Sequence, residues 1–183
     1  MRITITTQPL ALVALEEAKV ALGESGSDRD ELITTYLGAA QAELDGPKGW
    51  AGVFVASQSV EARFDAFSDA TVLPGVTVID PVTITYLDAD GAEQTLSDTV
   101  YTLLGAGRLV RTPDESWPAV YSRAEAVTAV YDVGITDDDD VRLSLMKTAI
   151  IIDVKMMLDM DDVEIRRTAL ENIVSTLRPS AGF

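Results

Sequence analysis

The order of hydrophobic periods along this chain predicts an α+β fold: a helical core of about four helices, two N-terminal and two C-terminal, with an inserted small antiparallel β unit. Three observations carry that reading. Apolar residues recur at helical spacing over about 10–45 and again over about 139–178. Between about 49 and 134 the period shortens to strand-like alternation. Gly- and Pro-containing turns stand at the changes of period. No internal repeat or low-complexity linker divides the 183 residues, so a single domain with a β insertion is expected, ending in an aperiodic tail at 178–183.

The first helix is expected over Leu10–Leu22, where Leu12, Leu15, Ala18, Val20 and Leu22 form a rough stripe and Glu16, Glu17 and Lys19 lie on the polar side. Pro9 suits its start and Gly23 its stop. The second is expected from Asp28 to Asp45. Asp28 is placed as the N-cap with Glu31 three residues on, Leu32, Ile33, Tyr36, Leu37, Ala40 and Leu44 recur at helical spacing, and Gly46-Pro47 closes it. In the middle stretch Val53, Val55 and Ser57, then Val60, Ala62, Phe64 and Phe67, alternate as strands do. Val76–Ile79 and Val82–Leu87 are β-rich runs on either side of Asp80-Pro81. Asp90-Gly91 predicts a hairpin turn between Thr83–Leu87 and Gln94–Leu96, and Gly105-Ala106-Gly107 another between Tyr101–Leu104 and Arg108–Arg111. Ala126–Val133 is the last strand, closed by Gly134. Helices return after Asp137–Asp140. Val141, Leu145, Ala149, Ile152 and Met156 form one stripe that Leu143, Met146, Ile150 and Val154 widen, so this helix should be buried over most of its circumference. The last helix is expected from near Asp161-Asp162, carrying Ile165, Ala169, Ile173 and Leu177 and ending before Pro179.

Composition narrows the chemistry. The chain has neither cysteine nor histidine, which removes disulfides, thiolate nucleophiles, ordinary zinc sites and histidine-based acid–base catalysis. No Gly-x-Ser-x-Gly, Walker or Rossmann glycine pattern is present. A non-enzymatic protein without cofactor or metal is expected. The formal charge is −16, from 30 acidic and 14 basic residues, and the densest basic pair is Arg166–Arg167. Tight nucleic-acid binding, which needs a basic face, does not fit. No apolar run approaches a membrane span and no signal-peptide pattern opens the chain, so cytosolic synthesis without membrane association is expected.

Two polar runs invite a metal reading. Asp137, Asp138, Asp139 and Asp140 could offer oxygen ligands, but four consecutive carboxylates cannot all face one ion, and the spacing is not that of a calcium loop. Capping and charging of the following helix N-terminus is the favoured role. Asp88-Ala89-Asp90-Gly91 resembles the start of a calcium loop, yet its closing twelfth position is Thr99, so a hairpin turn is preferred. Trp50, Trp117 and Tyr121 lack interleaved basic residues and are read as packing or interface residues, not base-stacking ones.

The run Leu12-Val-Ala-Leu-Glu-Glu-Ala-Lys-Val-Ala-Leu22, then Asp28-Arg-Asp-Glu-Leu-Ile33, Ala39-Ala40 and Glu43, resembles the opening of the head–tail connector (adaptor) proteins of long-tailed bacteriophages, a family also found in prophages and gene transfer agents. Ile84-Thr-Tyr-Leu-Asp-Ala-Asp-Gly91, Tyr101, Trp117-Pro118, Val127-Thr-Ala-Val-Tyr-Asp-Val-Gly134 and the closing Leu177-Arg178-Pro179 are similar to later elements of that family, in the same order. The resemblance implies a structural virion protein at the head–tail interface. It would form a homo-oligomeric ring, twelve-fold, beneath the portal protein, extend the DNA channel and present the attachment surface for the next neck or tail-side protein. DNA would pass without specific binding, a passage that acidic residues such as Asp137–Asp140 would ease by repulsion. It further implies that the C-terminal segment reaches the portal, here through Arg178, Pro179 and Phe183, the last an aromatic able to order on a partner. Another assembly module (head-closure or tail-completion) is the nearest alternative, and a carboxylate- or metal-dependent hydrolase a more distant one.

Overall fold

A computed structural model describes residues 1–75, 78–159 and 163–177. The chain folds as two compact units, one formed by Met1–Pro9 with Ser57–Gly134, the other by Leu10–Ala56 with the chain from Ile135 onward. The mixture is α+β, with antiparallel sheets in the first unit and helices in the second.

The β unit contains β1 (Arg2–Ile5), β2 (Gln58–Phe64), β3 (Val78–Leu87), β4 (Glu93–Thr95), β5 (Tyr101–Leu104), β6 (Arg108–Arg111) and β7 (Val127–Val133). Five of them make one antiparallel sheet in the order β1-β2-β7-β3-β4, while β5 and β6 pair as a separate hairpin. Period-two burial fixes the register. Val60, Ala62 and Phe64 of β2 stand opposite Tyr131, Ala129 and Val127 of β7, and Ile84 of β3 stands opposite Ala129 from the other side. All are buried. A one-residue slip would turn this apolar face outward, forfeiting about 1.5–3 kcal/mol for each large aliphatic or aromatic side chain exposed. Apart from Val130, the intervening positions of β2 and β7 are polar, among them Ser59 bonded to Asp132 and Arg63 paired with Glu61 at 2.7 Å. Tyr101 and Tyr131 send their hydroxyls to the Val82 and Pro74 carbonyls, satisfying groups that the apolar face would otherwise strand.

Several expectations need correction here. β1 was not foreseen: its four residues carry only two apolar side chains, and it is recognisable only by its pairing with β2 at the sheet edge. Val78–Ile79 and Val82–Leu87, on either side of Asp80-Pro81, fall in one strand, with the register against β7 shifting between Ile79 and Thr83. Pro81 lacks an N–H for the ladder, and a bulge absorbs the gap. Val53 and Val55 do not belong to a strand. Val53, Phe54, Val55 and Ala56 are all buried, so there is no alternation of faces. Their backbone is instead held by Asp45, whose Oδ1 accepts from Val55 N at 2.6 Å and Oδ2 from Ala56 N at 3.3 Å. At Asp90-Gly91 the hairpin forms as expected. Asp88 Oδ1 accepts from the Asp90 and Ala92 amides, and Gly91 takes the left-handed φ of 82° that the turn requires.

The helical unit contains α1 (Leu15–Leu22), α2 (Asp30–Leu44), α3 (Val141–Leu158) and α4 (Val163–Leu177). α3 packs against α2 and α4, and α1 against α2 and α3. Ile33, Leu37, Ala40 and Leu44 of α2, Met146, Ala149, Ile150 and Val154 of α3, and Leu170, Val174 and Leu177 of α4 are buried. α1 begins at Leu15 and not Leu10, because buried Gln41 captures the preceding backbone: Leu12 N donates to Gln41 Oε1 at 2.9 Å and Gln41 Nε2 donates to the Leu10 carbonyl at 2.8 Å. α1 does end at Gly23, which takes a φ of 75° and donates back to the last turn. α2 begins at Asp30, with no side-chain cap from Asp28. The Asp30 carboxylate lies 2.8 Å from Lys19 Nζ at the positive end of the α2 dipole. The expected start of α4 at Asp161-Asp162 lies outside the described residues.

Candidate functional site

The acidic run separates into different roles. Asp140 is the N-cap of α3: its Oδ1 accepts from Arg142 N at 2.8 Å, and the Arg142 guanidinium folds back onto both carboxylate oxygens, with Nη2–Oδ2 at 2.6 Å. The Arg142 side chain, then its backbone amide, holds the Asp140 carboxyl below the usual range. Asp137 Oδ1 accepts from Asp139 N at 3.0 Å in a local turn. Asp137, Asp138 and Asp139 are exposed. The four do not converge, and among the described residues no cluster of three or more His, Cys, Asp or Glu could hold a metal. The surface left is three water-facing carboxylates beside one neutralised cap.

The one basic pair is committed to the protein's own structure. Arg166 Nη1 donates to the carbonyls of Lys155 and Asp159 at 3.2 and 3.1 Å, placing a cation at the negative end of α3. Arg167 faces Glu171 one turn along α4 at 3.5 Å. Trp117 is likewise occupied. It stacks on Phe67 with centroids 5.0 Å apart and planes 5° from parallel, and donates Nε1 to Asp69 Oδ1 at 2.8 Å. Phe67 in turn meets Phe64 and Tyr86 edge to face. These rings are a packing cluster of the β unit. Trp50 lies with Glu171, Val174 and Ser175 around a small recess in the helical unit. Arg178, Pro179 and Phe183 lie outside the described residues.

Sequence reasoning missed two features. Asp153 points into the helical core; the residue is 8% exposed and its Oδ2 has no hydrogen-bond partner among the described residues. Burial, and then the charge of Glu43 on α2, pushes its carboxyl pKa up. An aspartate inside the apolar stripe Ile150–Val154 was the available signal. The second is a groove of about 320 Å³, walled by Ala11, Leu15, Thr34, Leu37 and Gly38 and floored by Ile150. It exists because Leu10–Ala14 is not helical and is held to α2 by Gln41, which helical periodicity could not reveal. No described helix is long and apolar enough to cross a membrane.

No described protein family and no curated protein matches the chain. Solved structures do. A chain from the neck of an empty gene transfer agent particle, computed with C6 symmetry, superposes with a TM-score of 0.77 at 15% identity, covering 100% of this chain and 98% of that one. A chain from the virion of the native gene transfer agent particle gives 0.76 at 16% identity with the same coverage. A chain from the native neck computed with C12 symmetry gives 0.69 at 13% identity, again over 100% and 98%. The chain therefore has, end to end, the fold of these virion proteins, in keeping with the connector resemblance in its sequence.

Proposed function

We propose that the protein is a structural, non-enzymatic component of a phage-like virion neck: a connector that assembles as a ring beneath the portal, extends the DNA channel and presents the attachment surface for the next neck or tail-side protein. The observation that carries this reading is the fold correspondence with neck chains, over 100% of this chain and 98% of theirs. A reconstruction computed with twelve-fold symmetry among those necks favours a ring of twelve. Electrostatics agrees. The chain carries −16, its conspicuous basic pair is consumed in helix capping and an intrahelical pair, and the carboxylates of Asp137, Asp138 and Asp139 are free to face a lumen. A negative wall repels the DNA backbone, which must slide without sticking. In this reading the segment from Arg178 and Pro179 to Phe183 engages the portal. The test is electron microscopy of the purified chain mixed with the portal protein of the same particle. Coaxial rings on the portal are expected; a chain that stays monomeric and never binds the portal refutes the reading.

A further inference from the structure

The connector reading requires a surface by which one copy holds the next, and the two edges of the five-stranded sheet fit one another as such a surface. Neighbouring strands in the order β1-β2-β7-β3-β4 are all antiparallel, so the edge strands β1 and β4 run in the same direction. One bond fixes the hydrogen-bonding phase of each edge. The Thr6 amide donates to the Ser59 carbonyl at 2.9 Å, so by antiparallel alternation Arg2 and Thr4 exchange bonds with β2. Ile3 and Ile5 therefore turn their N–H and C=O groups away from the sheet. On the other edge the Leu96 amide donates to the Ile84 carbonyl at 2.8 Å, so Gln94 bonds β3 while Glu93 and Thr95 turn theirs away. Arg2, Thr4, Ile5 and all three residues of β4 are exposed.

The side-chain faces decide how these edges join. Ile3 and Ile5 lie opposite buried Ala62 and Val60, on the apolar face of the sheet. Gln94 lies on that face too, opposite Tyr86, which itself pairs with buried Val127; Glu93 and Thr95 lie on the other face. An antiparallel join sets outward-turned residues against each other. It would bring Ile3 and Ile5 against Glu93 and Thr95 and so put one copy's apolar face beside the next copy's polar one. A parallel join sets each outward-turned residue opposite an inward-turned one and keeps the faces continuous. We propose that β4 of one copy pairs in parallel with β1 of the next, with Arg2 opposite Glu93, Ile3 opposite Gln94, Thr4 opposite Thr95 and Ile5 opposite Leu96. In this register the Ile3 amide donates to the Glu93 carbonyl, the Thr95 amide to the Ile3 carbonyl and the Ile5 amide to the Thr95 carbonyl. Ile5, 50% exposed although its partner Val60 is fully buried, gains Leu96 as an apolar neighbour. Arg2 already meets Glu125 at 2.9 Å, and its guanidinium has further N–H groups for Glu93. Pairing of β1 with β1 would stop at a dimer, whereas the joining of unlike edges propagates from copy to copy until rotation closes it into a ring. The proposal rests on the connector reading and names the contact that would build its ring.

The absence of cysteine gives a clean background for the test. Two single variants, Thr4→Cys and Thr95→Cys, both at exposed positions, are mixed with portal protein under mild oxidation. The mixed disulfide is expected to exceed either homodimer by about tenfold, a preference of about 1.4 kcal/mol, where random pairing gives about twofold. Random pairing, or a product of Thr4→Cys with itself alone, overturns the proposal. Thr95→Pro deletes an amide that bonds nothing in its own sheet, so circular dichroism should show an intact fold while rings on the portal are lost. Thr95→Val keeps the amide and should keep the rings, and Ile3→Pro repeats the deletion from the β1 side. Imaging separates the contact from the reading beneath it: rings that persist with both proline variants sink the contact and leave the connector standing, whereas a wild-type chain without rings on the portal sinks the connector itself.

Discussion

Asp153→Asn should stabilise this protein at neutral pH. The residue lies between Ile150 and Val154 of α3, is 8% exposed, and leaves Oδ2 without a partner among the described residues. Burial followed by the charge of Glu43 raises its carboxyl pKa above the ordinary 3.8. The folded state therefore holds the proton more tightly than the unfolded chain does. Its favourable contribution is complete below pH 3.8 and is lost as the pH rises through the folded value, above which the buried carboxylate is charged. An unsatisfied buried polar group costs about 1–3 kcal/mol. Asparagine removes the charge at constant shape but brings an amide with its own hydrogen-bonding needs, so a net gain of about 1 kcal/mol is the reasonable figure. For a chain of this size that is a rise in Tm of about 2–4 °C at pH 7. Thermal unfolding followed by circular dichroism at pH 7 and pH 4 measures it. The gap should narrow towards pH 4 as the wild-type carboxyl takes up its proton. A variant that melts lower than wild type at pH 7 would refute the argument, because the carboxylate would then be satisfied by something that asparagine cannot replace.

Asp45→Ala removes the acceptor for the Val55 and Ala56 amides and should cost about 1–3 kcal/mol in a urea titration, with the m-value little changed. Asp140→Ala deletes the α3 N-cap and should cost about 0.5–2 kcal/mol at pH 7. Its folded pKa is lowered, so the Asp140 contribution is present above pH 3.8 and fades as the pH falls through the folded value; the wild-type and variant unfolding curves should converge in acid. Removal of residues 178–183 should abolish co-sedimentation with the portal protein, with circular dichroism checking the fold, and undiminished binding would show that the tail is not the anchor.

What was legible in the sequence follows from how far each interaction reaches along the chain. Periodicity reported α2 and α3 because their buried faces, Ile33-Leu37-Ala40-Leu44 and Met146-Ala149-Ile150, repeat every three or four residues whatever they pack against. Asp90-Gly91 marked its hairpin because the left-handed φ is a local demand. β1 was invisible because the ladder that holds it runs to β2, about 55–61 residues away. The delayed start of α1 was hidden for the same reason, since the Leu10–Leu12 backbone is claimed by a side chain 29–31 residues further on. The groove inherits that invisibility: the non-helical path of Ala11–Ala14 beside Gly38 creates it. The acidic run was legible as a feature but not in its division of labour, because Asp140 alone meets an arginine two residues on.

These hidden contacts share a location, which gives them a common purpose in the helical unit. The chain enters that unit at Leu10, leaves it at Ala56 and returns at Ile135. Each crossing is fastened on the helical side by one turn of α2 or by a residue it already holds. Gln41 holds the Leu10 carbonyl and the Leu12 amide, Asp45 holds the Val55 and Ala56 amides, and the Val55 carbonyl accepts from Ile135 N at 2.9 Å. Irregular backbone buried without such partners would be expensive, and two polar side chains at the C-terminal end of one helix provide what a sheet would otherwise supply. Gln41 and Asp45 are thus the residues that let a β unit be inserted into a helical core without fraying the helices on either side of it, a role that neither their residue type nor their spacing announces.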